Sequence, residues 1–256
     1  MIEYLSSSRM NLFLQCSLKY KFRYIDKIPT LFKSSGLALG SAVHTALSWF
    51  HKERMNGRKV VLEDFLRIFD ADWYCQKVDT HIRYKAGEEE MNLVVVAKEL
   101  LALYFQQKHN GIKGAEVPFS VPLINPSNGK ELGLNLDGFM DLIEDDDTIV
   151  EFKTSNQAMN QKDINMNLQL TAYSYAYQFL HQKPPKLIKV IDLVKTKKPK
   201  IIVLETKREK KDYQRFFSLV VQILRGIQHR LFFPRQNFMC KDCEYAVQCR
   251  DWEVDS

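Results

Sequence analysis

Apolar residues recur along this chain at two different spacings, and the alternation between them marks its elements. In ALGSAVHTALSWFHKERM, residues Val43, Leu47 and Phe50 return at helical spacing, which predicts a helix over 38–56 with Gly40 and Ser41 near its start. Comparable patterns predict a helix over 6–26 with Cys16 near its middle, one over 163–181 and a long one over 210–230. The stretch 60–110 reads as mostly helical, with amphipathic runs at 62–69 and 91–107. Strands are expected at 115–124, 187–193 and 200–206, and a hairpin at 131–154 turning at Asp145-Asp146. Helix, strands, helix, strands, helix is the order of an α/β fold with a small mixed central sheet flanked by helices. The pattern fits one domain over 1–256, with a helical insertion at about 57–112 and a cysteine-bearing tail at 234–256.

The hairpin carries the chemistry. It reads LDGFMDLIEDDDTIVEFKTS, with Asp141 on its first arm and Glu151 and Lys153 on its second. Residues two apart on a strand share a face, so Glu151 and Lys153 point one way while Val150 and Phe152 point into the core. A turn at Asp145-Asp146 then brings Asp141 close to Glu151. Two carboxylates and an ammonium meeting at one end of a sheet suit a hard divalent ion such as Mg²⁺ or Mn²⁺. The same residues also fit an ordinary hairpin with a charged, wet face. Asp137 lies on the same face as Asp141, four positions earlier.

Asp141 followed by Glu151-Phe152-Lys153 resembles the signature of the PD-(D/E)XK nuclease superfamily. Two further motifs resemble its RecB-like branch. One is G-x-x-x-H at Gly40–His44; the other is Q-x-x-x-Y at Gln169–Tyr173, whose ends share a helix face. The resemblance implies a restriction-endonuclease-like core and metal-assisted phosphodiester hydrolysis. It implies His44, Asp141, Glu151 and the carbonyl of Phe152 as ligands of Mg²⁺ or Mn²⁺. Lys153 would orient the nucleophile or stabilise the transition state, and Gln169 and Tyr173 would position the substrate or Lys153.

The chain has five cysteines, three of them in CKDCEYAVQC, a C-x2-C-x5-C run formed by Cys240, Cys243 and Cys249. Three thiols so spaced suit a metal, and Cys16 is the best candidate for a fourth ligand. Zinc and an iron–sulfur cluster use the same ligands. The segment SSSRMNLFLQCSLKYKFRY resembles the N-terminal element of iron–sulfur nucleases of the RecB-like branch, including the CRISPR-associated Cas-four exonucleases, the AddB nuclease domain and the nuclease domain of the eukaryotic replication nuclease–helicase. That resemblance implies a structural [4Fe–4S] cluster on Cys16, Cys240, Cys243 and Cys249. Ser17 stands where those proteins usually have proline. Cys75 reads as a small buried hydrophobe.

Composition adds the frame. A hydrophobic content of 45% and an aromatic content of 12% over 256 residues fit a folded globule. No apolar signal core opens the chain and no run approaches a membrane span, so a cytoplasmic protein without a membrane partner is expected. The net charge is +6. Basic runs lie at Lys195–Lys200 and Lys207–Lys211, and Lys19, Lys21 and Arg23 alternate with Tyr20, Phe22 and Tyr24. Such patches suit phosphates and unpaired bases, or are simply solvated. The resemblance implies DNA as partner, with a single-stranded end. No G-x-x-x-x-G-K-[ST] motif occurs, so any unwinding belongs to a helicase partner; a CRISPR integrase is another partner the resemblance allows. The competing reading is a non-catalytic nucleic-acid-binding subunit with a four-cysteine structural site.

Overall fold

The computed structural model describes residues 3–252. In chain order the elements are β1 (Tyr4–Leu5), α1 (Ser7–Gln15), α2 (Ser17–Tyr20), a π-helical turn (Lys21–Ile25), β2 (Lys33–Ser34), α3 (Ser35–Met55), α4 (Leu62–Asp79), β3 (Ile82–Arg83) and α5 (Glu90–Phe105). Then follow β4 (Ile112–Ile124), β5 (Glu131–Glu144), β6 (Ile149–Ser155), α6 (Gln161–Asn165), α7 (Leu168–His181), β7 (Ile188–Val194), β8 (Lys200–Thr206), α8 (Lys210–Gln228) and α9 (Ala246–Arg250).

Six strands form the main sheet, with β1, β5, β6, β7 and β8 in order and β4 also on β5. β6 and β7 are parallel, while β4–β5, β5–β6 and β7–β8 are antiparallel. This is the mixed α/β sandwich expected. β4 runs along β5 past the residues that also pair with β1 and β6, so those two strands share the opposite edge of β5. β1 holds that edge at Asn135 and Leu136, and β6 at Leu142 and Ile143. The edge between them opens a notch. As an edge strand β4 tolerates Pro118 and Pro122, which cannot donate to a ladder.

The sheet separates two cores. One face packs against α1, α7 and α8 through residues such as Met140, Val190, Tyr177 and Phe216. The other packs against α3, α4 and α5 through Val150, Phe152, Leu47, Phe65 and Leu101. β5 bears no side chain at Gly138, where a Cβ would meet Cζ of Phe119 at 2.6 Å. Phe119 lies edge-on to Tyr173, with ring centroids 5.9 Å apart. Gly138→Ala should therefore cost about 1–3 kcal/mol through overpacking, seen as a lower urea midpoint at unchanged m value.

Several sequence expectations change. The first helix breaks at Cys16, which is extended (φ −162°, ψ 107°) rather than helical. Its N–H still donates to Leu12, but Ser17 turns to bond Phe233, just before the tail. α3 begins at Ser35, because the Ser34 hydroxyl caps Leu37 N–H; Gly40 and Ser41 lie inside it. The segment 60–110 also holds β3, paired with β2, a contact too long-range for local pattern to reveal. The helix expected over 163–181 is two helices, because Asn167 caps a new start at Leu168. Cys75 is exposed on α4, not buried. Residues 253–256 of the cysteine tail lie outside the described residues. No helix among the described residues is long and apolar enough to cross a membrane.

Candidate active site

The notch in the sheet gathers most of the chemistry. Continuing the Leu142↔Val150 register by one residue sets Asp141 opposite Glu151. The flanking pairs Ala115↔Leu142 and Val117↔Met140 set Glu116 opposite Asp141 on the other side. Three carboxylates thus stand in a row across three strands. Glu116 escaped the sequence reading; its only signal is an acid inside the apolar run AEVPF. It has a positive φ of 52°, uncommon for a residue with a side chain.

Around Asp141 the contacts are tight. Phe152 N–H donates to Asp141 Oδ2 at 2.8 Å, which replaces a ladder bond where the strands diverge. His44 Nδ1 lies 3.6 Å from the same oxygen, and its ring faces the Phe152 carbonyl. His44 lies on α3, well inside the helix, which sets the imidazole over the notch. Burial holds its pKa below the usual histidine value, although Glu151 opposes the shift. It is therefore a neutral imidazole at physiological pH, the form that binds metals.

Glu151 is 1% exposed, so it does not lie on a wet face. Lys153 pairs with its Oε1, and Lys153 Nζ donates to Gln169 Oε1 at 2.7 Å. Gln169 Nε2 in turn donates to the Tyr173 hydroxyl at 2.7 Å. Gln169 and Tyr173 sit on one face of α7, four residues apart, as the helical spacing requires. Tyr173 stays protonated, its pKa raised by burial and by the field of Glu151 and Asp141. The second oxygen of Glu151, Oε2, is buried without a partner among the described residues. Asp137, by contrast, accepts from Ser120 and takes no part.

The electrostatics are unfavourable as they stand. The Asp141 carboxyl is held well above the ordinary carboxylate range, by burial first and by Glu151 next, with Glu116 adding to both. Glu116 is also raised, by burial and Glu151, against the pull of Lys52. No group of three or more His, Cys, Asp or Glu is already gathered closely enough to hold a metal ion among the described residues. The donor set nevertheless suits one: an orphaned carboxylate oxygen, a strained proton equilibrium and a neutral imidazole are what a divalent cation relieves. The native state binds the Asp141 proton more tightly than the unfolded chain does. In the metal-free protein the stabilisation contributed by this carboxyl is therefore full below the ordinary carboxylate range, and it is lost as pH rises through the raised value. Asp141→Asn should remove that loss in EDTA, measured by urea melts from the ordinary carboxylate range upward, while keeping an acceptor for Phe152 N–H.

A profile of the PD-(D/E)XK nuclease superfamily matches residues 4–250 of this chain. The chain belongs to the PD-(D/E)XK nuclease superfamily. No curated protein matches it. Among solved structures, a candidate exonuclease from Eubacterium rectale has the same fold. Its TM-score is 0.60 at 16% identity, over 99% of this chain and 90% of that one. A crystal structure of SSO0001 covers 93% of this chain and 95% of that one at 16% identity, with a TM-score of 0.42 that is too low to argue from. Members of the superfamily typically use divalent metal ions.

This nuclease-family chain also brings Cys16, Cys240, Cys243 and Cys249 to one cavity of about 710 Å³. Burial pushes the Cys243 and Cys249 thiols up, and both sense Cys16 across 224 or more positions of chain. Tail and N-terminal segment are further tied by Lys19–Glu244 at 2.7 Å and by Tyr245 donating to the Ile28 carbonyl at 3.0 Å. The aromatic–basic alternation near Cys16 does not present bases with stacking rings. Tyr20 and Phe22 are buried, and Lys19 and Lys21 are committed to Glu244 and Asp26. Within 207–211, Arg208 turns inward to the Ile164 and Asn167 carbonyls and the Thr171 hydroxyl.

Proposed function

We propose that this protein is a metal-dependent deoxyribonuclease that degrades DNA from single-stranded ends. The observation that carries the reading is Asp141, Glu151 and Lys153 converging with His44 at the notch, with a buried carboxylate oxygen that has no partner among the described residues. His44, Asp141, Glu151 and the Phe152 carbonyl would hold Mg²⁺ or Mn²⁺, and Glu116 adds a carboxylate beside them. A bound divalent ion supplies positive charge to the scissile phosphate and acidifies water. Lys153 brings a second positive charge to the same place and offers donors to the non-bridging oxygens. Gln169 holds that ammonium in position through its carbonyl oxygen, and Tyr173 holds Gln169. The neutral His44 ring does not compete for a proton near pH 7.

The four cysteines would hold a [4Fe–4S] cluster with a structural role, clasping the two ends of the chain. Their common cavity and mutual field support that reading, and zinc is the competitor that metal analysis separates. The intact carboxylate row argues against a subunit that only binds nucleic acid. End-labelled single- and double-stranded DNA, digested with Mn²⁺ and with EDTA, tests the function. Loss of label only with metal, fastest from single-stranded ends, is the expected result. No cleavage of any strand at stoichiometric enzyme would sink it.

A further inference from the structure

One step along the sheet from the carboxylate row, the exposed surface turns apolar. The register that sets Glu116 opposite Asp141 continues with Pro118 opposite Phe139 and Ser120 opposite Asp137. Phe139 is 58% exposed, and Pro118 is exposed beside it. Among the described residues, Phe139 is the only exposed aromatic residue of the main sheet. Side chains directly opposed on antiparallel strands have Cβ atoms about 5 Å apart. The two therefore form one small platform. Two residues of strand rise set it about 7 Å from the acids.

The platform adds nothing to the core. Met140 and Phe119 pack into the core shared with α1, α7 and α8, and alternation turns Phe139 and Pro118 to the other side of the sheet. That is the side where α3 lies, and from it His44 reaches Asp141. The approach along α3 is open: a Cβ at Gly40, four positions before His44 on the same helix face, would meet nothing within 4 Å.

Size and charge say what covers the ring. An aromatic side chain offers about 150–250 Å², whereas one side of a stable protein interface takes about 800 Å². Here the apolar surface ends at once in a polar chain, in which Asn135 Nδ2 donates to Ser120 Oγ at 2.9 Å and Ser120 Oγ to Asp137 Oδ1 at 2.8 Å. One ring and one proline match a single flat group, not a protein. Carboxyl groups flank the ring on both sides along β5, at Asp137 and Asp141, and offer a phosphate no positive partner. The uncharged base is the part of a nucleotide that fits. We infer that Phe139, with Pro118 beside it, is a stacking platform for an unpaired base of the strand cut at the notch. The inference rests on the DNA-cleaving reading above. Phenylalanine has no hydrogen-bonding group and every base has a π face, so the platform selects no sequence. It does select single strands. Inside a duplex each base is already stacked on its neighbours, and freeing it for the ring costs energy.

The test is binding of labelled oligonucleotides to the native protein, Phe139→Ala and Phe139→Trp, with Ca²⁺ replacing Mn²⁺, beside the Mn²⁺ cleavage assay. A single abasic site is moved through the strand. Phe139→Ala should weaken single-strand binding about tenfold, within the range that base–aromatic stacking supplies. The preference over duplex should narrow by the same factor. One abasic position should weaken binding to the native protein about as much and leave Phe139→Ala unaffected. Phe139→Trp should restore both native binding and that sensitivity, which a merely structural ring would not do. Since the ring is exposed, Phe139→Ala should melt like the native protein. Binding by Phe139→Ala within twofold of native, or the same abasic profile in both proteins, overturns the platform. So does a native dimer that Phe139→Ala dissociates in sedimentation, which would seat a second copy on the ring. A native protein that binds single strands in this position-specific way but cuts no DNA sinks the nuclease reading and leaves the platform standing. A native protein that binds no single strand sinks both.

Discussion

Glu151→Gln should reduce metal-dependent cleavage of single-stranded DNA by about 10³-fold or more, a loss of about 4 kcal/mol in transition-state stabilisation. The substitution keeps shape and volume and removes one charge. Glu151 pairs with Lys153 through one oxygen, and its other oxygen has no hydrogen-bond partner among the described residues and can take a cation. It is also the group whose field most raises the pKa of Asp141 after burial. Neutralising it should relieve Asp141, and the variant should melt no lower than the native protein by more than a few degrees. An inactive protein with native melting thus separates a chemical role from a structural one. Single-turnover digestion in excess Mn²⁺ is the measurement. A folded Glu151→Gln protein within tenfold of native would remove Glu151, and with it the metal assignment, from the mechanism.

Cys243→Ser should lower the thermal midpoint by roughly 6–12 °C, the equivalent of about 3 kcal/mol for a chain of this size. Cys243 lies in the cavity shared by all four proposed ligands and packs in a small cluster with Leu18, Phe22 and Tyr245. Without a metal, that cluster holds only a few buried apolar residues to keep the tail in place. Removing one thiolate ligand should release iron, bleach the visible absorption and loosen the tail before it alters chemistry at the notch. Cys75→Ser is the control, since Cys75 is exposed and remote from the cavity, and should change nothing. A native protein containing stoichiometric zinc and no iron would replace the cluster with a zinc site. A Cys243→Ser protein with native melting and native metal content would end the idea of a metal clasp.

Local pattern and short-range pairing suffice for part of the site, and pattern alone fails where a residue's state depends on distant chain. The hairpin is local: its arms are joined by a turn of a few residues, so strand alternation and the turn together bring Asp141 opposite Glu151. Gln169 and Tyr173 needed only helical periodicity, and the last two strands needed only their apolar runs. Cys16 looked helical because its neighbours are helix formers, but Ser17 bonds Phe233, 216 positions away, and bends the segment. For Glu151 the sequence allows either a metal site or a wet hairpin face, and the fold decides it, because α7 covers that face and leaves the residue 1% exposed. Tyr20 and Phe22 looked like stacking rings, and the fold buries both.

By itself the sequence determined the alternation of helices and strands and the carboxylate–lysine hairpin, because periodicity and residue chemistry act over a few positions. The tertiary structure decided which groups became neighbours. It added Glu116 to the row through an edge strand and left one oxygen of Glu151 without a partner among the described residues. Those facts depend on burial and on contacts between segments far apart in the chain, and desolvation is a property of the folded whole that no local pattern encodes.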